Sequence, residues 1–239
     1  MNERLQDIFE RLTRHFGPLH WWPAETPFEV MVGAILTQNT AWLNVERAIA
    51  GLKEAGVLNP AGIHDIPKED LERLVRPAGF FRQKASRLKL FVGHLFDRHG
   101  GDFRAMLCGP LEEVRGELLS LNGIGPETAD SILLYAGNHP TFVVDAYTRR
   151  LFCRLGILQG DEGYEAIRSL FMENLPHSAD LFNEYHALIV EECKKFCSKV
   201  KPLCSQCPLL LLCPFGESRS FSGSESGQRE PKGAELKNR

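Results

Sequence analysis

The sequence predicts an all-α protein. Apolar residues recur at spacings of three and four in most segments, Gly or Pro stands at most joints between them, and period-two alternation is nearly absent. Leu5, Ile8, Phe9, Leu12 and Phe16 mark one face of an N-terminal helix. Similar stripes follow in PFEVMVGAIL (27–36), NVERAIAGLKEAG (44–56), QKASRLKLFVGHLF (83–96) and PLEEVRGELLSL (110–121). They continue in ETADSILLYA (127–136), AYTRRLFCRLG (146–156), YEAIRSLFMEN (164–174) and LFNEYHALIVEECKK (181–195). TFVVD (141–145) is the one strand candidate, and it is short. From Gly216 the composition turns to Ser, Gly, Glu, Arg and Lys, with Phe221, Ala234 and Leu236 as the apolar side chains. Burial there is too small to offset chain entropy, so 215–239 is expected to be a disordered tail.

With 239 residues and 43% hydrophobic content, the chain can bury one large core or two modest ones. No basic segment followed by an apolar run opens it, and LLLL at 209–212 is far too short to span a bilayer, so a cytoplasmic protein without membrane contact is expected. Lys and Arg total 28 against 31 Asp and Glu, a net charge of −3. That balance excludes a protein that coats nucleic acid by bulk charge; a nucleic-acid partner would need locally concentrated basic residues.

Five of the seven cysteines crowd into 193–213, which points to a metal site before disulfides. Cys197, Cys204, Cys207 and Cys213 have the spacing C-x6-C-x2-C-x5-C. Four thiolates can hold a zinc ion or a cubane iron–sulfur cluster, and the two C-x2-C knuckles usual in zinc ribbons are missing. Cys193, one helical turn before Cys197, lies outside the pattern and reads as a packed thiol or a spare ligand. Lys194, Lys195, Lys199 and Lys201 accompany the loop with no acid between Cys193 and Cys213, a basic patch suited to phosphate. The plain alternative is a solvated loop.

LNGIGPETAD (121–130) joins two apolar stripes through Gly123-Ile124-Gly125. Two glycines permit a tight turn close to a ligand, and Pro126 suits a first helical position. Amides at such a turn can grip a phosphate without reading sequence. Asp145, before the next stripe, fits a helix N-cap, and a helix N-terminus also keeps a carboxylate ionised. Arg149, Arg150 and Arg154 follow, cations suited to phosphate or merely to solvating the helix.

The cysteine spacing, the glycine hairpin and VVDAYTRR together resemble the helix-hairpin-helix DNA glycosylases, and among them the endonuclease III family, over roughly residues 20–214. The resemblance implies a 4Fe-4S cluster on the four cysteines, Asp145 as the catalytic aspartate, damaged double-stranded DNA as partner, and a monomer. It also implies two helical domains around a DNA cleft, 1–22 plus 132–214 with the cluster and 23–131 ending in the hairpin, with Asp145 and Glu127 facing each other. Gln38 and Asn39, in GAILTQNT, would enter the duplex where a nucleotide is extruded, although Gln38 by chemistry alone reads as a helix cap. Gly123, Gly125, Lys84, Arg149, Lys199 and Lys201 are the expected DNA contacts.

The sequence departs from endonuclease III at Glu127. Bifunctional members carry a lysine there, in a pattern like G-V-G-x-K-T-A, whose amine attacks the sugar. A carboxylate cannot form that Schiff base, so a monofunctional enzyme with a water nucleophile is expected. WWP (21–23), TQNT and RPAGFFRQKASRL (76–88) further resemble the bacterial 3-methyladenine glycosylase branch. N-alkylated purines carry positive charge and leave readily, which favours aromatic faces over a strong general acid. Trp22, Trp42, Phe28 and Glu127 are the expected base pocket, the tryptophans alternatively serving only to seal a core. The competing readings are an endonuclease III-type lyase on oxidised pyrimidines and a catalytically silent DNA-binding module.

Overall fold

The structure, a computed structural model, describes residues 1–19 and 24–222. Thirteen helices account for most of the described residues, among which there is no strand. They are α1 (Asn2–Phe16), α2 (Pro27–Leu36), α3 (Trp42–Glu54), α4 (Pro60–Asp65), α5 (Lys68–Leu74), α6 (Phe81–His99) and α7 (Phe103–Leu107). After them come α8 (Leu111–Leu119), α9 (Pro126–Ser131), α10 (Ala146–Arg154), α11 (Tyr164–Asn174), α12 (Ala179–Lys195) and α13 (Pro214–Ser222). The helix starts follow the local chemistry. Thr26 caps α2 by accepting from Glu29 N at 3.1 Å, with Pro27 in the first helical position. Asn59 and Pro60 repeat the device at α4, Asp102 caps α7 and Ser178 caps α12.

The buried apolar side chains form two clusters. One gathers side chains between Phe28 and Leu133, with α2 at its heart: every residue from Phe28 to Leu36 is buried. The other joins Leu5, Ile8 and Leu12 of α1 to side chains from Leu134 to Cys213. Each fully buried Leu, Ile or Phe contributes about 1.5–3 kcal/mol by leaving water, so both clusters hold their helices without help from propensity. The helix after the hairpin joins them. Beyond Ser131 it widens over Ile132–Ala136, where Gly137 N reaches back five residues to Ile132 O at 3.1 Å. Leu133 packs in the first cluster and Leu134 in the second.

TFVVD crosses the second cluster in extended form without pairing to a strand. Phe142, Val143 and Val144 are all buried, so alternation is lost, and Phe142 stacks on Phe171 at 3.7 Å between centroids. The first part of the expected tail is instead helical, α13 continuing to Ser222. Phe215 packs on the second cluster, and Arg154 and Arg219 lie over its ring at 4.5 and 5.5 Å. The remainder of that segment lies outside the described residues. No helix among the described residues is long and apolar enough to cross a membrane.

Candidate active site and cysteine loop

Asp145 is the N-cap of α10: its Oδ1 accepts from Thr148 N at 2.8 Å. His186, buried on α12, places Nε2 3.5 Å from Asp145 Oδ2, and its Nδ1 lies 2.6 Å from the Tyr135 hydroxyl. Burial, and then the charge of Asp145, push the Tyr135 pKa well up, so the phenol keeps its proton. Burial by itself would raise the Asp145 pKa; the charge and hydrogen bond of His186, with the Thr148 amide and hydroxyl, outweigh it and hold the carboxyl below its ordinary value.

Glu127 sits at the solvent-open start of α9, and its pKa is raised, first by the surrounding protein's desolvation and then by the charge of Asp145, against His186 and Arg149. The two carboxyls therefore titrate apart, Asp145 low and Glu127 high. Arg149 Nη1 is held by Glu162 O at 2.8 Å.

The segment entering Asp145 is pinned by a buried polar network. Asp130, fully buried on α9, accepts from Arg115 of α8 through both oxygens, at 2.9 and 3.0 Å, and from Thr141 Oγ1 at 2.8 Å. Arg168 of α11 donates to Thr141 Oγ1 at 2.9 Å, and Val144 N donates to the Tyr164 hydroxyl at 3.3 Å. Glu165 and Glu112 take the outer N–H groups of the two arginines at 2.6 and 2.9 Å. For Arg115, burial opposes the charged form, yet Asp130 and Glu165 outweigh it and raise its pKa.

Helix α6 organises three loops. Lys84 is fully buried, and its Nζ donates to Leu36 O at 2.8 Å and Ala78 O at 2.7 Å. Burial first, then Arg87, push its pKa down to about 8. The expected DNA contact at Lys84 is thus corrected: its ammonium ties the end of α2 to the loop before Phe80. Arg87 donates to Gln38 Oε1, and its side chain fills the space beside Gly123, where an added Cβ would meet Arg87 Nε at 2.5 Å. Gly123, at φ +89°, needs glycine on both counts. Gln38 Nε2 donates to Gly123 O at 3.0 Å and Thr128 Oγ1 at 2.9 Å, so Gln38 clamps the hairpin instead of capping α2. Asn39, beside it, is in the left-handed region at φ +54°. Gly125 is exposed as the N-cap of α9.

Phe80 is 65% exposed and sits at φ +46° after Gly79. An apolar ring held in a sparsely populated conformation and presented to solvent has the character of a wedge between base steps. Within RPAGFFRQ its signal was lost among the apolar residues of the following helix.

The expected base pocket is not one unit. Phe28 is buried in the first cluster against Phe103, at 6.0 Å between centroids, and offers no open face; the pocket role expected for it is corrected. Trp42 lines a cavity of about 320 Å³ with Ala24, Glu29, Gly33, Ile49 and Lys53, and its Nε1 donates to Glu46 at 2.7 Å. Asp145 and Glu127 do not line that cavity. Trp22, with Trp21, lies outside the described residues.

Cys197, Cys204, Cys207 and Cys213 line one apolar cavity with Leu151, Leu155 and Phe215. Three of these sulfurs accept hydrogen bonds: Cys197 from Arg154 Nη1 at 3.2 Å, Cys207 from Leu209 N at 3.4 Å and Cys213 from Gly216 N at 3.4 Å. Such donors suit thiolates bound to a metal. The Cys197 pKa is lowered, by the Cys193 thiol first, against burial, and by Arg154 and Arg150. Cys193 is thus a buried neighbour of Cys197. Arg150 Nε donates to Cys197 O at 2.8 Å, and Arg154 to Ser198 O at 2.8 Å and Lys199 O at 3.1 Å. These two arginines hold the cysteine loop, which corrects their expected role in gripping DNA. Lys199 and Lys201 are exposed on that loop.

A glycine hairpin feeding an aspartate-capped helix, followed by a four-cysteine loop, defines an endonuclease III-like architecture. Over residues 32–177 the chain matches the HhH-GPD superfamily of base excision DNA repair proteins. It is 48% identical over 212 residues to a Methanocaldococcus jannaschii protein whose name provisionally makes it a DNA repair glycosylase, spanning 88% of this chain and 96% of that one. It is 31% identical to endonuclease III of Thermotoga maritima, over 90% of this chain and 94% of that one. Endonuclease III in a non-covalent DNA complex superposes with a TM-score of 0.79 at 24% identity, over 92% and 99% of the two chains. The 3-methyladenine DNA glycosylase of H. pylori bound to 1,N6-ethenoadenine gives 0.68 at 29% identity, over 81% and 95%. The chain belongs to the HhH-GPD superfamily.

Proposed function

We propose that this base excision repair DNA glycosylase is monofunctional and hydrolyses the N-glycosidic bond of alkylated purines such as 3-methyladenine in damaged double-stranded DNA. The observation that carries the reading is the pair at the site: beside Asp145 stands Glu127, a carboxyl with a raised pKa, and not an amine. The C1′–N bond breaks with its electron pair going to the cationic purine. Ionised Asp145 stabilises the positive sugar, a water adds at C1′, and its proton passes to a carboxylate. The likeness to the H. pylori 3-methyladenine glycosylase supports the substrate class. The likeness to T. maritima endonuclease III favours a second reading, a lyase on oxidised pyrimidines.

Base release is to be measured over duplexes carrying 3-methyladenine, 7-methylguanine, hypoxanthine, thymine glycol or an abasic site. Release of the alkylated purines is expected; release of thymine glycol alone would give the second reading. Borohydride should trap no covalent adduct with the wild-type chain, whereas Glu127→Lys should gain one, because a primary amine then stands beside Asp145. Efficient capture by the wild type would sink the monofunctional assignment.

The protein acts in this reading as a monomer, with DNA between the helical units 23–131 and 1–22 plus 132–214. Gln38, Asn39 and Phe80 face the lesion step, while Gly123, Gly125, Arg149, Lys199 and Lys201 lie along the phosphates. Cys197, Cys204, Cys207 and Cys213 hold a 4Fe-4S cluster. Such a cluster, once bound, supplies a rigid anchor for the lysine-bearing loop. Among the described residues these sulfurs form no group within 4.8 Å of one another, whereas one tetrahedral zinc would need them about 3.8 Å apart. Four irons and four acid-labile sulfides per chain are expected on chemical analysis; stoichiometric zinc instead would replace the cluster.

A further inference from the structure

Away from the hairpin and the cysteine loop, three metal-ligating side chains converge between α6 and α8. His94 Nε2 and His99 Nε2 each lie 2.6 Å from the same oxygen, Glu117 Oε1. The side chains are 21%, 19% and 27% exposed, open to an ion from solvent yet held by their surroundings. Their ligand atoms are the one such trio of His, Cys or carboxylate atoms within 4.8 Å among the described residues. We propose that His94, His99 and Glu117 bind a first-row divalent cation, zinc above all, through two imidazole nitrogens and one carboxylate oxygen, with water in the fourth position.

The donor set is the argument for zinc. Two imidazoles and a carboxylate make a familiar three-ligand set for that ion, which tolerates an open position. Tetrahedral bonds of about 2.0–2.1 Å place neighbouring ligand atoms about 3.3 Å apart, so the observed 2.6 Å separations need to open by less than about 1 Å. Side-chain rotation supplies that without moving a helix. Binding needs an Nε2 lone pair on both rings, so any proton there moves to Nδ1 or leaves to solvent.

The location gives the site a consequence. His99 is the last residue of α6, where Gly100 turns the chain at φ +60°. The same helix carries Lys84 and Arg87, which hold the loops bearing Phe80 and Gln38, and α8 leads directly into the glycine hairpin. An ion bridging α6 to α8 would brace the scaffold of all three loops.

The test uses the full chain with its cysteine loop intact. Zinc binding is to be measured by calorimetry and by metal analysis after dialysis, for the wild type and for the double variant His94→Gln, His99→Gln. The wild type is expected to take one zinc more than the variant, and affinity at this site should fall about 100-fold or more on losing the rings. Equal uptake by the two chains, including none by either, overturns the proposal. Cobalt(II) provides a readout in the wild type alone, independent of whether the variant folds. Ligand-field bands of a four-coordinate nitrogen and oxygen site are expected; sulfur-to-cobalt charge transfer without them would place the ion at the cysteines and overturn the assignment.

Discussion

Asp145→Asn is expected to lower base release by about a thousandfold while leaving affinity for an abasic-site duplex nearly unchanged. The substitution is nearly isosteric, and Asn is as good an N-cap as Asp, so the hydrogen bond from Thr148 N and the start of α10 should survive. What is lost is the negative charge beside the developing sugar cation. In a site walled by protein that charge acts at low dielectric, where it is worth far more than in water. Binding of product-like DNA does not use it. A variant that binds abasic DNA and still releases base at the wild-type rate would remove Asp145 from the mechanism.

The same carboxyl sets the acid limb. His186 and Thr148 hold its pKa below the ordinary value of 3.8, against burial. A folded pKa lower than the unfolded one means that ionised Asp145 contributes stability fully above the unfolded value, and that the contribution is lost as pH falls through the folded one. Base release should accordingly persist down to the lower end of the carboxylate range.

How far the sequence was legible follows from what kind of signal each feature leaves. The long helices announced themselves by period: PFEVMVGAIL and YEAIRSLFMEN coincide with α2 and α11. Helices α4, α5 and α7 span five to seven residues, less than two turns, and no period can be read from so short a segment. The start of α13 hid in polar composition because its anchor is a single ring, Phe215, held by two arginines. At the candidate site, spacing along the chain singled out Asp145 and the cysteines, which the structure places at the N-cap of α10 and around one cavity. His186 was not: it comes from α12, 41 positions beyond Asp145, inside an apolar stripe where a histidine reads as core. Lys84 misled for the opposite reason, since a lysine on an amphipathic helix is ordinarily solvated, and only the carbonyls of Leu36 and Ala78 explain its burial.

Asp130→Ala should be the most destabilising single change in the polar interior, by about 3–5 kcal/mol. Asp130 is fully buried, and its removal strips Arg115 of a two-pronged partner while leaving Arg168 Nε, 3.5 Å from Asp130 Oδ1, without its buried carboxylate. Two guanidinium groups would then lack the central negative charge, since Glu165 and Glu112 reach them only from the exposed side. In a chain of this size the loss corresponds to a fall in Tm of about 10 °C or more, measurable by thermal denaturation. The damage should also reach catalysis, because Thr141, which donates to Asp130, anchors the extended segment that ends at Asp145. Stability and rate can be separated with a double variant, Asp130→Leu with Arg115→Met, which replaces the buried pair by apolar side chains. Such replacements commonly restore stability. If that variant regains its Tm but not its rate, the network positions Asp145; if Asp130→Ala melts within about 1 °C of the wild type, the pair contributes far less than its burial and geometry require.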